Sequence, residues 1–164
     1  MSAATIFTEF SRAADKAGEG LALMTSSVRL SYDDLRRNVL QLAGSILQQE
    51  QGGAIALQAG DAEDLLTAFL GCAAAGRPAL ILDPARPAAE NRRLAERYDA
   101  KTITPRTSTP VPLPVVPSEA EFYWGLTSGT TGEPKLFARS HRSWLESFSA
   151  AEQIFPFPPC PKVL

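Results

Sequence analysis

The sequence predicts an α/β fold: a parallel sheet flanked by helices, with a short hairpin near the N-terminus and a strand–loop–strand unit late in the chain. Three observations carry this expectation. Short apolar runs alternate with amphipathic stretches between Ala54 and Thr104, in a strand-helix-strand-helix-strand order. The connections are long enough for crossovers, which align successive strands in parallel and lay helices on both faces of the sheet. Finally, an aromatic run from Phe122 to Leu126 stops abruptly at a Gly/Ser/Thr-rich segment, behind which a second short apolar run, Leu136 to Ala138, begins.

Taken in order, Phe7, Phe10, Ala14 and Ala17 recur on one side of a helix from Ile6 to Ala17, ended by Gly18 and Gly20. Leu21–Met24 and Val28–Leu30 surround polar Thr25, Ser26 and Ser27 and read as a small hairpin. Ser31 with Asp34 forms a capping-box variant, since the Ser oxygen and the acid three residues on satisfy each other's backbone N–H. The helix behind it sets Leu35, Val39, Leu42, Ala43, Ile46 and Leu47 on one face and stops at Gly52 and Gly53. Ala54–Leu57 reads as a buried strand, and Asp61 as the N-cap of an apolar helix over Ala62–Ala75, with Gly76 at its C-terminal cap.

Pro78–Leu82 is a continuous apolar strand ended by Asp83-Pro84. A charged helix over Ala88–Tyr98 turns Leu94, Ala95 and Tyr98 inward, and Lys101–Thr104 is a further short strand. Pro105, Pro110, Pro112, Pro114 and Pro117 then exclude helix and central strand, leaving an extended surface connector. The expected organisation is therefore an α/β N-terminal subdomain over 1–104, a Pro-rich connector over 105–117, and a strand–loop–helix segment over 118–164. In that segment a helix over His141–Ile154 presents Trp144, Leu145 and Phe148 inward. A proline-rich turn, Phe155 to Pro161, follows, and Lys162 to Leu164 resemble the start of another strand.

Composition narrows the function classes. With 164 residues the chain is long enough for a proper core, and its formal net charge is only −2. It has no basic block and no interleaving of basic and aromatic residues, so neither nucleic acid nor an anionic membrane is an expected partner. Met1–Phe10 lacks the basic and apolar regions of a signal peptide. Leu65–Leu82 is interrupted by Gly71, Gly76, Arg77 and Pro78, so no membrane span is expected and the compartment reads as cytoplasmic. Cys72 and Cys160 are far apart in sequence with a single His, which argues against a metal site.

The chemistry concentrates between Thr127 and Lys135. Thr127, Ser128, Gly129, Thr130, Thr131 and Gly132 include no large side chain, and Glu133, Pro134 and Lys135 close the segment. Glycines let the main chain approach a ligand closely, successive N–H groups form a concavity for anionic oxygens, and the hydroxyls add donors. Lys135 supplies a compact positive charge at the rim. These residue types point to a cradle for a polyanion such as a nucleotide's phosphates; an ordinary flexible turn is the alternative from composition alone. The Gly-Lys-Ser/Thr offset of P-loop NTPases is absent.

The nine residues Thr127–Lys135, with Ser140-His141 behind them, closely resemble the phosphate-binding signature of the adenylate-forming (AMP-binding) superfamily. That superfamily comprises acyl- and aryl-CoA synthetases, luciferases and peptide-synthetase adenylation domains. One position departs: Leu136 stands where a Gly commonly follows the Lys. The resemblance implies an ATP-dependent ligase that activates a carboxylic acid as an acyl-adenylate. The acyl group then passes to the thiol of coenzyme A or of a carrier protein's phosphopantetheine. Thr127 to Gly132 would hold the β- and γ-phosphates, and Lys135, the implied catalytic residue, would neutralise charge on the departing pyrophosphate. His141 reads either as a structural residue at a helix start or as a substrate contact.

Mg2+ is a family expectation, but the Tyr-Gly-x-Thr-Glu segment whose Glu would bind it does not occur in this chain. Nor do a Thr-Gly-Asp for the ribose, the hinge residue, or the late catalytic Lys. The resemblance therefore implies the front portion of a longer enzyme, inactive in adenylation by itself. A non-catalytic nucleotide-binding or interaction module, and a degenerate fragment, are the alternative readings.

Overall fold

A computed structural model describes residues 4–49, 52–58, 60–103, 111–127 and 134–155. The chain runs α1 (Ile6–Ala17), β1 (Leu21–Met24), β2 (Arg29–Ser31), α2 (Tyr32–Gln48), β3 (Ile55–Leu57), α3 (Ala62–Ala74), β4 (Ala79–Ile81), α4 (Ala88–Arg97), β5 (Glu121–Thr127), β6 (Lys135–Ser140) and α5 (His141–Ile154).

Local chemistry sets the helix boundaries. At α2 the Ser31 hydroxyl accepts from the Asp34 N–H at 3.1 Å, and the Asp34 carboxylate accepts from the Ser31 N–H, the reciprocal box the sequence predicts. The Ser31 hydroxyl also donates to the Asp34 carboxylate at 2.7 Å, and that bond, with those from Arg37 and from the Ser31 N–H, holds the Asp34 carboxyl below the ordinary carboxylate range. Asp61 caps α3 by accepting from the Asp64 N–H at 2.8 Å. At its other end Gly76 adopts φ +66, and the Arg77 N–H donates back to the Cys72 carbonyl at 2.9 Å, closing the last turn through a left-handed glycine. A box at α1, Thr5 with Thr8, carries no acidic residue and was not part of the sequence expectation.

The main sheet has the order β3-β4-β5-β6, with β3, β4 and β5 mutually parallel and β6 antiparallel to β5. It is thus mixed rather than wholly parallel, because the short connection between β5 and β6 can only reverse the chain. The strand expected over Lys101–Thr104 is reduced, among the described residues, to one parallel bridge between Lys101 and Ile55. The Lys101 N–H donates to the Ala54 carbonyl at 2.8 Å and the Ala56 N–H to the Lys101 carbonyl at 2.9 Å. Pro105 follows close behind and has no N–H with which to extend a ladder.

Strand alternation divides the core between two faces. Ile55, Leu57, Ala79 and Phe122 pack with Leu35, Val39 and Leu42 of α2 and Leu70 and Cys72 of α3. Ala54, Ala56, Leu80 and Leu82 turn the other way and meet Leu94 and Ala100, with Ala95, Tyr98, Trp124, Leu126 and Leu136 around them. The chain advances from β3 to β4, then doubles back past β3 to Lys101. Crossovers of one preferred hand therefore place α3 and α4 on opposite faces. α5 lays Trp144 and Leu145 on the first face. Phe148, expected inward, is 49% exposed, because the aromatic cluster on the sheet reaches only to Trp144 and Phe148 packs edge-on against that ring. Residues 111–117 form neither helix nor strand, and Leu113 packs against the first face. No helix among the described residues is long and apolar enough to cross a membrane.

Candidate functional site

The β5–β6 hairpin forms the stem of the segment singled out by sequence. Its register pairs Trp124 with Ala138, Gly125 with Phe137, Leu126 with Leu136, and Thr127 with Lys135. The apolar pair on the α4 side anchors the stem. At Gly125 a Cβ would lie 2.3 Å from the Phe137 ring and 2.7 Å from the Tyr123 hydroxyl, so a glycine is required for the two strands to carry that ring across the pair. The register delivers Thr127 and Lys135 opposite each other at the open end.

Two hydroxyls hold this end. Thr127 Oγ1 donates to the Lys135 carbonyl at 3.2 Å, and Tyr98 Oη donates to the Pro134 carbonyl at 3.0 Å. Lys135 is exposed, and its ammonium has no partner among the described residues. Of the predicted phosphate-binding residues, the structure therefore brings Thr127 and Lys135 together; Ser128, Gly129, Thr130, Thr131 and Gly132 lie outside the described residues. An exposed cation beside a hydroxyl fits an anion such as a nucleotide's phosphates. The same residues offer no carboxylate set for Mg2+, and no three His, Cys, Asp or Glu converge anywhere among the described residues.

His141 stands at the far end of β6, six residues along a strand and so roughly 20 Å from Lys135. Ser140 caps α5 by accepting from the Ser143 N–H at 3.2 Å, which makes His141 the first helical residue. The imidazole is fully buried and stacks on Phe122, with centroids 4.6 Å apart and planes 16° from parallel. Its Nδ1 accepts the Ile6 N–H of α1 at 3.2 Å, so in the neutral ring the proton resides on Nε2, which has no partner among the described residues. Burial pushes the pKa down to about 4, and the ring is neutral at physiological pH.

Nearby Arg139 is likewise committed: its guanidinium donates to the Ser143 carbonyl at 2.6 Å and to Ser147 Oγ at 2.7 Å, and lies over the Trp144 ring. Cys72 is buried and its thiol is pushed up to about 12 by desolvation. A cavity of about 870 Å³ opens elsewhere, lined by Gln41, Leu57, Thr67, Leu82, Asn91 and Ile103 among others, and none of the predicted site residues lines it. Sequence reasoning missed Tyr98 as a contact of the stem; its only signal was an inward-facing tyrosine at the end of a charged helix.

A family model described as AMP-binding enzyme matches residues 10–121, well over half of the chain. That match ends before Thr127, so the loop signature stands in addition to it. An uncharacterized acyl–CoA ligase of Bacillus subtilis (strain 168), YhfT, is 32% identical over 98% of this chain and 39% of its own length. The chain thus spans about two fifths of that curated relative. Among solved structures, the peptide synthetase FmoA3 in an alpha-methyl-L-serine-AMP bound form superposes with a TM-score of 0.81 at 22% identity, over 96% of this chain and 20% of that one. The N-terminal subdomain of Klebsiella oxytoca NpsA in complex with 3-hydroxyanthranilyl-AMSN gives 0.74 at 16% identity, over 87% and 41%. At such identities the structures speak for the fold, and the family model and YhfT for descent: the chain belongs to the AMP-binding enzyme family.

Proposed function

We propose that this chain supplies the polyphosphate-holding part of an ATP-dependent acid–thiol ligase. The observation that carries the reading is the pairing of Thr127 with Lys135 at the open end of a hairpin, where the Lys135 ammonium is exposed and has no partner among the described residues. A carboxylate attacks the α-phosphorus of ATP, the acyl-adenylate forms, and pyrophosphate departs with the electrons of the broken P–O bond. Negative charge grows on the departing oxygens, and a fixed cation with preorganised donors stabilises it. Lys135 fills the first role; Thr127, Ser128, Gly129, Thr130, Thr131 and Gly132 are the proposed donors to the β- and γ-phosphates. Mg2+, when bound, would neutralise further phosphate charge.

The acid and the acceptor are proposed by class. YhfT is described as an acyl–CoA ligase, and the solved structure of PA1221 contains adenylation and PCP domains. Both support a carboxylic acid as substrate and a thiol, of coenzyme A or of a carrier protein, as acceptor; a cytoplasmic setting is part of the same proposal. The fully buried His141 is assigned a structural role, joining α1 to α5, rather than substrate contact. Titration calorimetry of this chain with ATP tests the reading: weak binding is expected, reduced about tenfold by Lys135→Ala, the worth of one partly solvated charge contact. No heat with the wild type, or equal affinity in the variant, refutes it.

A further inference from the structure

We infer that Tyr98 is a positioning residue for Lys135, acting through the backbone of Pro134; the inference rests on the nucleotide-binding reading of the hairpin end. Tyr98 closes α4, where its N–H donates to the Leu94 carbonyl at 3.2 Å. Its half-buried ring packs against the same buried cluster that Trp124, Leu126 and Leu136 of the stem cover. From there the hydroxyl donates to the Pro134 carbonyl. Proline has no N–H, so that carbonyl is the one polar backbone group Pro134 offers.

The peptide unit is planar, and holding the Pro134 carbonyl therefore fixes the plane that leads into Lys135. The plane that leaves Lys135 is held from the other side by Thr127 Oγ1 on the Lys135 carbonyl. Lys135 thus sits between two peptide planes, each pinned by a side-chain hydroxyl from a different element. The β5–β6 register sets which residue arrives at the open end; the two hydroxyls set its direction. Tyr98 contributes this from outside the signature segment, and couples the direction of the cation to the seating of α4 on the sheet.

Tyr98→Phe removes the hydroxyl and keeps the ring. In the ligand-free chain, amide hydrogen exchange at Thr127, Lys135 and Leu136 should quicken about three- to tenfold, the effect of one lost hydrogen bond, with Tyr123 and Arg139 at the other end of the stem unchanged. ATP affinity should fall by a similar factor. In a Lys135→Ala background, Tyr98→Phe should produce no further loss, because the residue acts through Lys135. Unchanged exchange at the three amides overturns the inference, as does a Tyr98→Phe loss of affinity that adds in full to that of Lys135→Ala. If the wild type binds no ATP, the functional reading fails, and the exchange measurement still decides whether Tyr98 fixes the entry to β6.

Discussion

Acidification should destabilise this fold through one identifiable side chain, His141, whose share a variant without the imidazole isolates. His141 is the only histidine in the chain, so the titration is assignable without ambiguity. Unfolded, it takes a proton near pH 6.5; folded, burial defers protonation to about 4. Between those values the unfolded state binds more protons than the folded one, so stability must rise with pH. The neutral ring's contribution is complete above about pH 6.5 and is lost progressively as the pH falls toward 4. Integrating across the window gives roughly 2 kcal/mol lost by pH 4.5, and about 3 kcal/mol at the limit. Set against the ~5–15 kcal/mol typical of a domain, this is a substantial fraction. The geometry agrees, because a second proton can enter only at Nδ1, the atom that accepts the Ile6 N–H. Urea unfolding at pH 7 and at 4.5, with and without His141→Phe, measures the effect. The variant retains an aromatic ring against Phe122 and loses the titration, so its stability should vary far less across the same window. An imidazole that titrates near 6.5 by NMR in the folded chain, or equal pH dependence in both proteins, refutes the reasoning.

Gly76→Ala should cost about 1–2 kcal/mol and lower the thermal midpoint by several degrees, since a side chain is strained at φ +66 and its Cβ would lie 3.1 Å from Val116 Cγ2. Gly52→Ala, with nothing within 4 Å of the added carbon and no positive φ, is the matched control and should melt like the wild type. The Cys72 thiol, pushed up to about 12, should resist iodoacetamide at pH 8 in the folded chain and react on unfolding; modification of the Cys72 peptide under native conditions, read by mass spectrometry, contradicts its burial.

Local signals were the most legible. The bounds of α1 and α5, the Ser31–Asp34 box, the Asp61 cap and the left-handed Gly76 could be read because each depends on residues within a turn or two. The βαβ order was legible from periodicity, and so was the inward face of α4. What escaped depends on parts of the chain far apart in sequence. Nothing around His141 announces that its ring accepts the Ile6 N–H, a contact 135 residues away. Nothing around Tyr98 announces Pro134. The strand expected at Lys101 has the right composition, but pairing also requires backbone donors to continue, and prolines follow. Phe148 has the spacing of an inward residue; how far the sheet's aromatic cluster reaches is a tertiary quantity that spacing does not contain.

The bond from Ile6 to His141 also imposes a timetable on synthesis. α1 leaves the ribosome well before α5, and the group that satisfies its leading N–H is translated 135 residues later. Until then its apolar side lacks α5, and the helix must wait, loosely held, beside whatever has already collapsed. Closure across so long a stretch of chain makes this a slow contact to form. Once His141 arrives, α1 and α5 can be joined through it.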